Sequence, residues 1–107
     1  MERVGQVIGI KPGRIEDYER LHAEVWPEVL AAIHACNIRN YSIFRHHNLL
    51  FAYFEYVGAD FTADMAKMAA NPRVKEWWSL TDEMQEPVAG YQPDGRWAAL
   101  PEVFHTN

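Results

Sequence analysis

The sequence predicts an α+β fold whose elements run β-α-β-β-α-β, an antiparallel sheet carrying its helices on one face. Three observations carry this. A long stretch with apolar residues at helical spacing follows an opening strand. Two aromatic and β-branched runs lie in mid-chain with only "HHN" between them. A second helical pattern comes after those runs.

The first strand is "RVGQVIGI", residues 3–10, in which Val4, Gln6 and Ile8 share one side and Val7 beside Ile8 makes part of the run apolar on both faces. "KPGR" breaks it. From about Ile15 to His34 the set Tyr18, Leu21, His22, Val25, Val29 and Ile33 keeps helical spacing, so this is the main helix. Pro27 has no N–H and crowds the carbonyl of Ala23, which predicts a kink or a restart there. "ACNIRN" ends the helix, with Asn37 as its left-handed residue.

"NYSIFR" and "LLFAYFEYV" form a hairpin over about residues 39–57. In its second strand Leu49, Phe51, Tyr53 and Glu55 alternate with Leu50, Ala52, Phe54 and Tyr56, so both faces are apolar. "GADFTADMAKMAANP" is the second helix, with Asp60 as N-cap and Phe61, Met65, Met68 and Ala69 as its buried face. Asn71 and Pro72 stop it. "RVKEWWSLTDEMQ" is a further short helical piece, "EPVAGYQPDGRWAALP" a loop, and "EVFH" a short closing strand. This order is the split βαβ, or ferredoxin-like, arrangement. Its helices cover one face of a sheet that is apolar on both, so the bare face must meet something. A second copy of the same sheet is the economical partner, which predicts a homodimer closed into an α+β barrel, with the C-terminal segment reaching across.

The chain has 107 residues, read as one domain over 1–107, and its 49% hydrophobic and 23% charged residues are ordinary for a globular protein. The net charge of −5, with no run of Lys or Arg, argues against nucleic acid and anionic membrane as partners. No stretch approaches the roughly 18 apolar residues of a membrane span, and the first residues lack the apolar core of a secretory signal. Cys36 is the single cysteine. A reducing, cytoplasmic setting is expected.

The stretch "YERLHAEVWPEV" sets Tyr18, His22 and Trp26 at successive four-residue steps, a ring stripe on one helix face. An imidazole on a sheet-facing stripe sits where its surroundings move its pKa, which suits a general acid or base. A buried histidine satisfied by one backbone carbonyl fits the same spacing. Adjacent Trp77 and Trp78 diverge by about 100° on a helix, so that one packs while the other lines a cavity, where flat aromatic walls suit the apolar face of a sugar. Two large residues plugging the gap between helix and sheet is the alternative. Tyr18 lies one turn before His22, and Tyr41 opens the first hairpin strand, where an inward side chain points under the helix. Their hydroxyls need partners that a substrate supplies, as do those of any core tyrosine. His46 and His47 fall at the hairpin tip and, with His34 and His105, show no metal-ligand spacing. Cys36 reads as a small apolar residue near a helix end. Glu24 and Glu28 read as a solvated face.

Together these residues resemble the L-rhamnose mutarotase family, aldose 1-epimerases of the dimeric ferredoxin-like type. The resemblance runs through the opening strand, "YERLHAEVWPEV", "NYSIF", "NLLFAYFE", "WW" followed by "TDEM", and the closing "EVFH". Its most specific part is Tyr-x3-His-x3-Trp-Pro-Glu with a later Trp pair. The resemblance implies a sugar substrate, His22 as proton donor, and Tyr18, Tyr41, Trp77 and Trp78 as sugar contacts. It also implies no cofactor, because interconverting anomers moves no electrons to a carrier. Trp77, Trp78 or Met84 would wall the sugar's 6-methyl group. After the Trp pair, "SLTDEMQEPVAG" reaches "TD" one residue sooner than the rhamnose enzymes do, which sets L-fucose beside L-rhamnose as the sugar. Two other readings stay open. One is a cofactor-independent or haem-degrading monooxygenase on a similar barrel, using Asn40, Trp78 and His22; the other is a non-catalytic small-ligand binder.

Overall fold

A computed structural model describes residues 1–88 and 97–107. Strand β1 (Glu2–Ile10) holds the sheet together. Along one edge it pairs antiparallel with β3 (Leu49–Tyr56), from Glu2 opposite Tyr56 to Gly9 opposite Leu49. Along the other edge two short antiparallel strands share it, β4 (Gln85–Glu86) against Gly9 and Ile10, and β5 (Ala98–Leu100) against Gly5 to Val7. Strand β2 (Ile38–His46) pairs with β3 through the predicted hairpin, giving the order β2-β3-β1-β4 of the ferredoxin-like sheet. A Cβ on Gly9 would lie 2.8 Å from the Glu86 carbonyl oxygen, so only glycine lets β4 close on this edge.

The main helix is built as two, α1 (Ile15–Ala23) and α2 (Pro27–Ala35), while the second helix and the helical piece after it stand, as expected, on either side of the Asn71-Pro72 stop as α3 (Phe61–Ala70) and α4 (Pro72–Met84). Pro27 and Pro72 each stand in the first turn of the new helix, where a missing N–H costs nothing. The residue before each is pushed to extended geometry, Trp26 at ψ 136° and Asn71 at ψ 121°. Of the kink or restart expected at Pro27 the chain takes the restart, and Trp26 leaves the helical stripe. Asn71 caps α4 by accepting from the N–H groups of Arg73 and Val74, and Asp60 caps α3 as expected by accepting from Ala63. Asn37 takes the predicted left-handed turn at φ 65°.

On the helix-covered face, one apolar cluster joins Ala32, Cys36, Ile38, Phe54, Met68 and Val74, and another joins Ile8, Ile10, Tyr18, Leu50 and Met84. Leu50, Ala52, Phe54 and Tyr56 of β3 are buried here, while Leu49, Phe51, Tyr53 and Glu55 on the opposite face are half-buried. That outer face also shows Phe44, 65% exposed and paired with Phe51.

Three expectations are corrected. "EVFH" is not a strand: Val103 and Phe104 are exposed, and the edge of β1 it would have used is already taken by β4 and β5. The segment read as one loop supplies Glu86 to β4 and all of β5, and its residues 89–96 lie outside the described residues. Ala69 is exposed, and Asp64 takes its place on the buried face of α3.

Asp64 is buried because every neighbour answers it. The Tyr56 hydroxyl donates to it at 2.5 Å, the Asn37 amide at 3.0 Å, and Lys67 lies 3.1 Å from its other oxygen. The Tyr56 oxygen accepts in turn from the N–H of Asp60. These bonds tie the turn after α2, the end of β3 and the start of α3 into one latch. Chiefly through the Tyr56 hydrogen bond, then those of Asn37 and Lys67, the carboxyl is held down to about 2 from an ordinary 3.8. Burial, then the bond to Asp64, pushes Tyr56 up to about 12. A depressed carboxyl stabilises the fold above its unfolded pKa, and that stabilisation is lost as pH falls. Urea midpoints should therefore drop between pH 3.8 and about 2 in the wild type, and Asp64→Asn should lack this component. Gly58→Ala should also weaken the latch, since its methyl would meet both the Tyr56 hydroxyl and the Asp64 carboxylate.

Candidate active site

Between the helix-covered face of the sheet and helices α1, α2 and α4 lies a cavity of about 930 Å³. Tyr18 and His22 from α1, Tyr41 from β2, and Trp77 and Trp78 from α4 all line it. Segments far apart in sequence thus bring the five expected residues to one space.

The α1 pair follows from helical geometry. Four residues apart on the same face, the rings of Tyr18 and His22 stack with centroids 4.1 Å apart and planes 24° from parallel. Trp77 meets His22 edge-on at 5.2 Å and Trp26 edge-on at 5.1 Å. Trp26 reaches this cluster from the extended residue before Pro27, not from a third step of the stripe. The Arg73 guanidinium lies over the Trp26 ring, 4.0 Å from its centroid.

His22 Nδ1 lies 2.9 Å from the carbonyl oxygen of Tyr18. A carbonyl only accepts, so Nδ1 carries the hydrogen, and Nε2 keeps its lone pair. Burial lowers the imidazole pKa from its ordinary 6.5, against the smaller opposing effect of the bond to Tyr18. The resting ring is therefore neutral near pH 7. Both expectations for His22 hold at once, since it is satisfied by a backbone carbonyl and still borders a cavity.

Burial also raises the pKa of Tyr18, whose oxygen accepts from Gln85 Nε2 at 3.4 Å, and that of Tyr41. Both phenols stay protonated and can donate. Tyr41 is aimed by a β-bulge. Arg39 faces Glu55 and Ser42 faces Tyr53, so Asn40 and Tyr41 together oppose Phe54 alone. Asn40 absorbs the extra residue at φ 52°, and the Tyr41 ring settles 5.4 Å from that of Phe54. The Asn40 amide donates to Glu55 at 2.7 Å.

The two indoles part as adjacent helical residues must. Trp77 is 5% exposed and Trp78 is 39% exposed. Met84, expected as a wall for the sugar's methyl group, instead packs among Ile8, Tyr18 and Leu50 and does not border the cavity. Five polar residues not singled out from the sequence also border it: Gln6, Arg39, Thr81, Asp82 and Gln85. Only Gln6 carried a signal, as the one polar side chain on the covered face of an apolar strand. Among the described residues, no three His, Cys, Asp or Glu side chains gather as a metal ion would require, and no helix is long and apolar enough to cross a membrane.

Comparison with known proteins agrees with this geometry. The family model described as L-rhamnose mutarotase matches residues 3–106. An L-rhamnose mutarotase of Phocaeicola vulgatus is 34% identical over 107 residues, 98% of each chain. An L-fucose mutarotase of Xanthomonas campestris is 34% identical over 94 residues, covering 84% of this chain and 74% of that one. The crystal structure of an L-rhamnose mutarotase from Formosa agariphila superposes over 100% of both chains with a TM-score of 0.77 at 25% identity. The full-length match, on the fold and cavity described above, places the chain in the L-rhamnose mutarotase family.

Proposed function

We propose that the protein is a mutarotase that interconverts the α and β anomers of a 6-deoxy-L-hexose, with L-rhamnose as the first substrate and L-fucose as the second. The observation that carries this reading is a neutral imidazole, fixed by its Nδ1 hydrogen on the Tyr18 carbonyl, bordering the same cavity as two protonated tyrosines. Exchange of anomers needs one group to take the proton from the anomeric O1 and another to protonate the ring oxygen O5. The C1–O5 bond then opens, the aldehyde turns, and the ring closes on the other face of the carbonyl. His22 Nε2, resting with a free lone pair, takes the O1 proton. A phenol, Tyr41 or Tyr18, donates to O5. On closure the imidazolium returns its proton to O1, and the phenolate recovers its own from O5. His22 is thus the donor of the closing half-reaction, and no net proton is consumed. Trp77 and Trp78 offer flat walls to the apolar face of the sugar.

In this reading the chain acts as one domain, in the cytoplasm, as a homodimer joined through the outer sheet face. Support for the dimer is the apolar strip of Phe44, Phe51 and Leu100 on that face, with Phe44 65% and Leu100 43% exposed. Sedimentation should give the mass of two chains, and Phe44→Asp should halve it; a wild-type mass of one chain would remove the dimer.

NMR exchange between the α and β anomeric protons of L-rhamnose and L-fucose tests the activity. Catalytic amounts of protein should accelerate exchange on at least one of them. Unchanged exchange on both would reject the reading.

A further inference from the structure

Gln6 stands in the middle of β1 on the helix-covered face, opposite Ala52 of β3 and Ala99 of β5. Its neighbours along that face of the strand are Val4 and Ile8, and Ile43 pairs with Ala52 beyond it. The floor around it is apolar, and the alanines flanking it are the smallest side chains that floor could present. The amide therefore stands in a gap, and it borders the cavity. Among the described residues it has no hydrogen-bond partner, although Gln6 is half-buried. A primary amide carries two donors and an acceptor, and the Gln6 amide atoms stay accessible, so that on this apolar floor it is water or a ligand in the cavity that meets them. An apolar residue would suit the floor itself equally well. A glutamine kept there fits a ligand that brings its own hydroxyl.

We propose that Gln6 is a specificity-determining residue of the mutarotase site, reading a secondary ring hydroxyl of the sugar from the sheet side of the cavity. The inference rests on the mutarotase reading and adds to it a contact outside the proton-transfer group. L-rhamnose and L-fucose share the 6-methyl group and differ in the configuration of the hydroxyls on C2 and C4. An amide fixed on a strand meets a hydroxyl in one of those configurations and misses it in the other. Discrimination by a hydrogen-bonding group is stronger than by an apolar wall, because the wrong sugar leaves the amide unpaired. Gln6 thereby sets which sugar is preferred, while His22 sets the rate of the proton transfers.

The test compares wild type with Gln6→Leu and Gln6→Met, both apolar and of similar volume, by kcat/KM for anomer exchange. The substrates are L-rhamnose, L-fucose, and the 2-deoxy and 4-deoxy analogues of whichever is preferred. Both variants should lose about 10-fold on the preferred sugar, the scale of one neutral hydrogen bond, with the loss mainly in KM and the preference between the two sugars shrinking. On the analogue that lacks the hydroxyl read by Gln6, wild type and variants should have equal kcat/KM. The use of two replacements guards against one that fails to fold, and thermal midpoints identify it. An unchanged sugar preference, or a loss of the same size on every sugar including both analogues, would overturn the proposal and leave Gln6 a structural role. A wild type that exchanges no sugar would instead reject the mutarotase reading itself, so the two failures are distinguishable.

Discussion

His22→Asn should lower kcat for anomer exchange by about 10²- to 10⁴-fold, the usual contribution of a positioned acid or base, while the protein still folds and binds sugar. Folding should survive because the imidazole is half-buried and makes one hydrogen bond, to the Tyr18 carbonyl, that an asparagine amide can also donate. Sugar binding should survive because the indoles and both phenols remain. Exchange unchanged in the variant would point instead to a non-catalytic binder. The monooxygenase reading, which drew on Asn40, Trp78 and His22, meets a specific obstacle: the Asn40 amide is already committed to Glu55 on the hairpin. Addition of haem with no shift of the Soret band would remove its haem-dependent form.

The second large effect separates two neighbouring tryptophans. Trp77→Ala should cost about 3–5 kcal/mol of stability, as deletion of a buried indole does, because Trp77 is 5% exposed and meets both Trp26 and His22 edge-on. Exchange should fall as well, since the wall against the imidazole is gone. Trp78→Ala should change stability by no more than about 0.5 kcal/mol, its ring being 39% exposed. It should raise KM about 10-fold if its face stacks on the sugar, the upper end of what an aromatic contact contributes. Denaturant unfolding and exchange kinetics on the two variants check the contrast. Equal stability losses would contradict the packing described.

Much of this site was legible in the sequence because regular structure puts known spacings on known faces. Tyr18 and His22 had to share a face of α1, and Trp77 and Trp78 had to diverge on α4. What was not legible came from chain breaks and long-range pairing. Pro27 signalled an interruption, but whether the helix bends or restarts depends on how Trp26 packs, and its partners Trp77 and Arg73 lie more than forty residues away. The bulge that aims Tyr41 needs the register of β2 on β3, which alternation alone does not fix. The closing strand was misplaced because "EVFH" and "WAALP" are both short apolar runs, and which one pairs with β1 is decided by where α4 ends. Met84 kept helical spacing with the tryptophans, yet its side chain serves the core beneath Tyr18 rather than the cavity. Gln85 and Asp82 carried no local signal at all, since a polar residue near the end of a helix is ordinarily solvated.

The pH dependence of kcat/KM for anomer exchange, read beside an NMR titration of the His22 ring, bears most directly on a neutral imidazole acting first as the base. Both curves should share one apparent pKa below 6.5, with exchange fastest above it and lost as the ring becomes charged. Exchange that accelerates as pH falls through that range would mean the charged ring is the active form, and would contradict the mechanism.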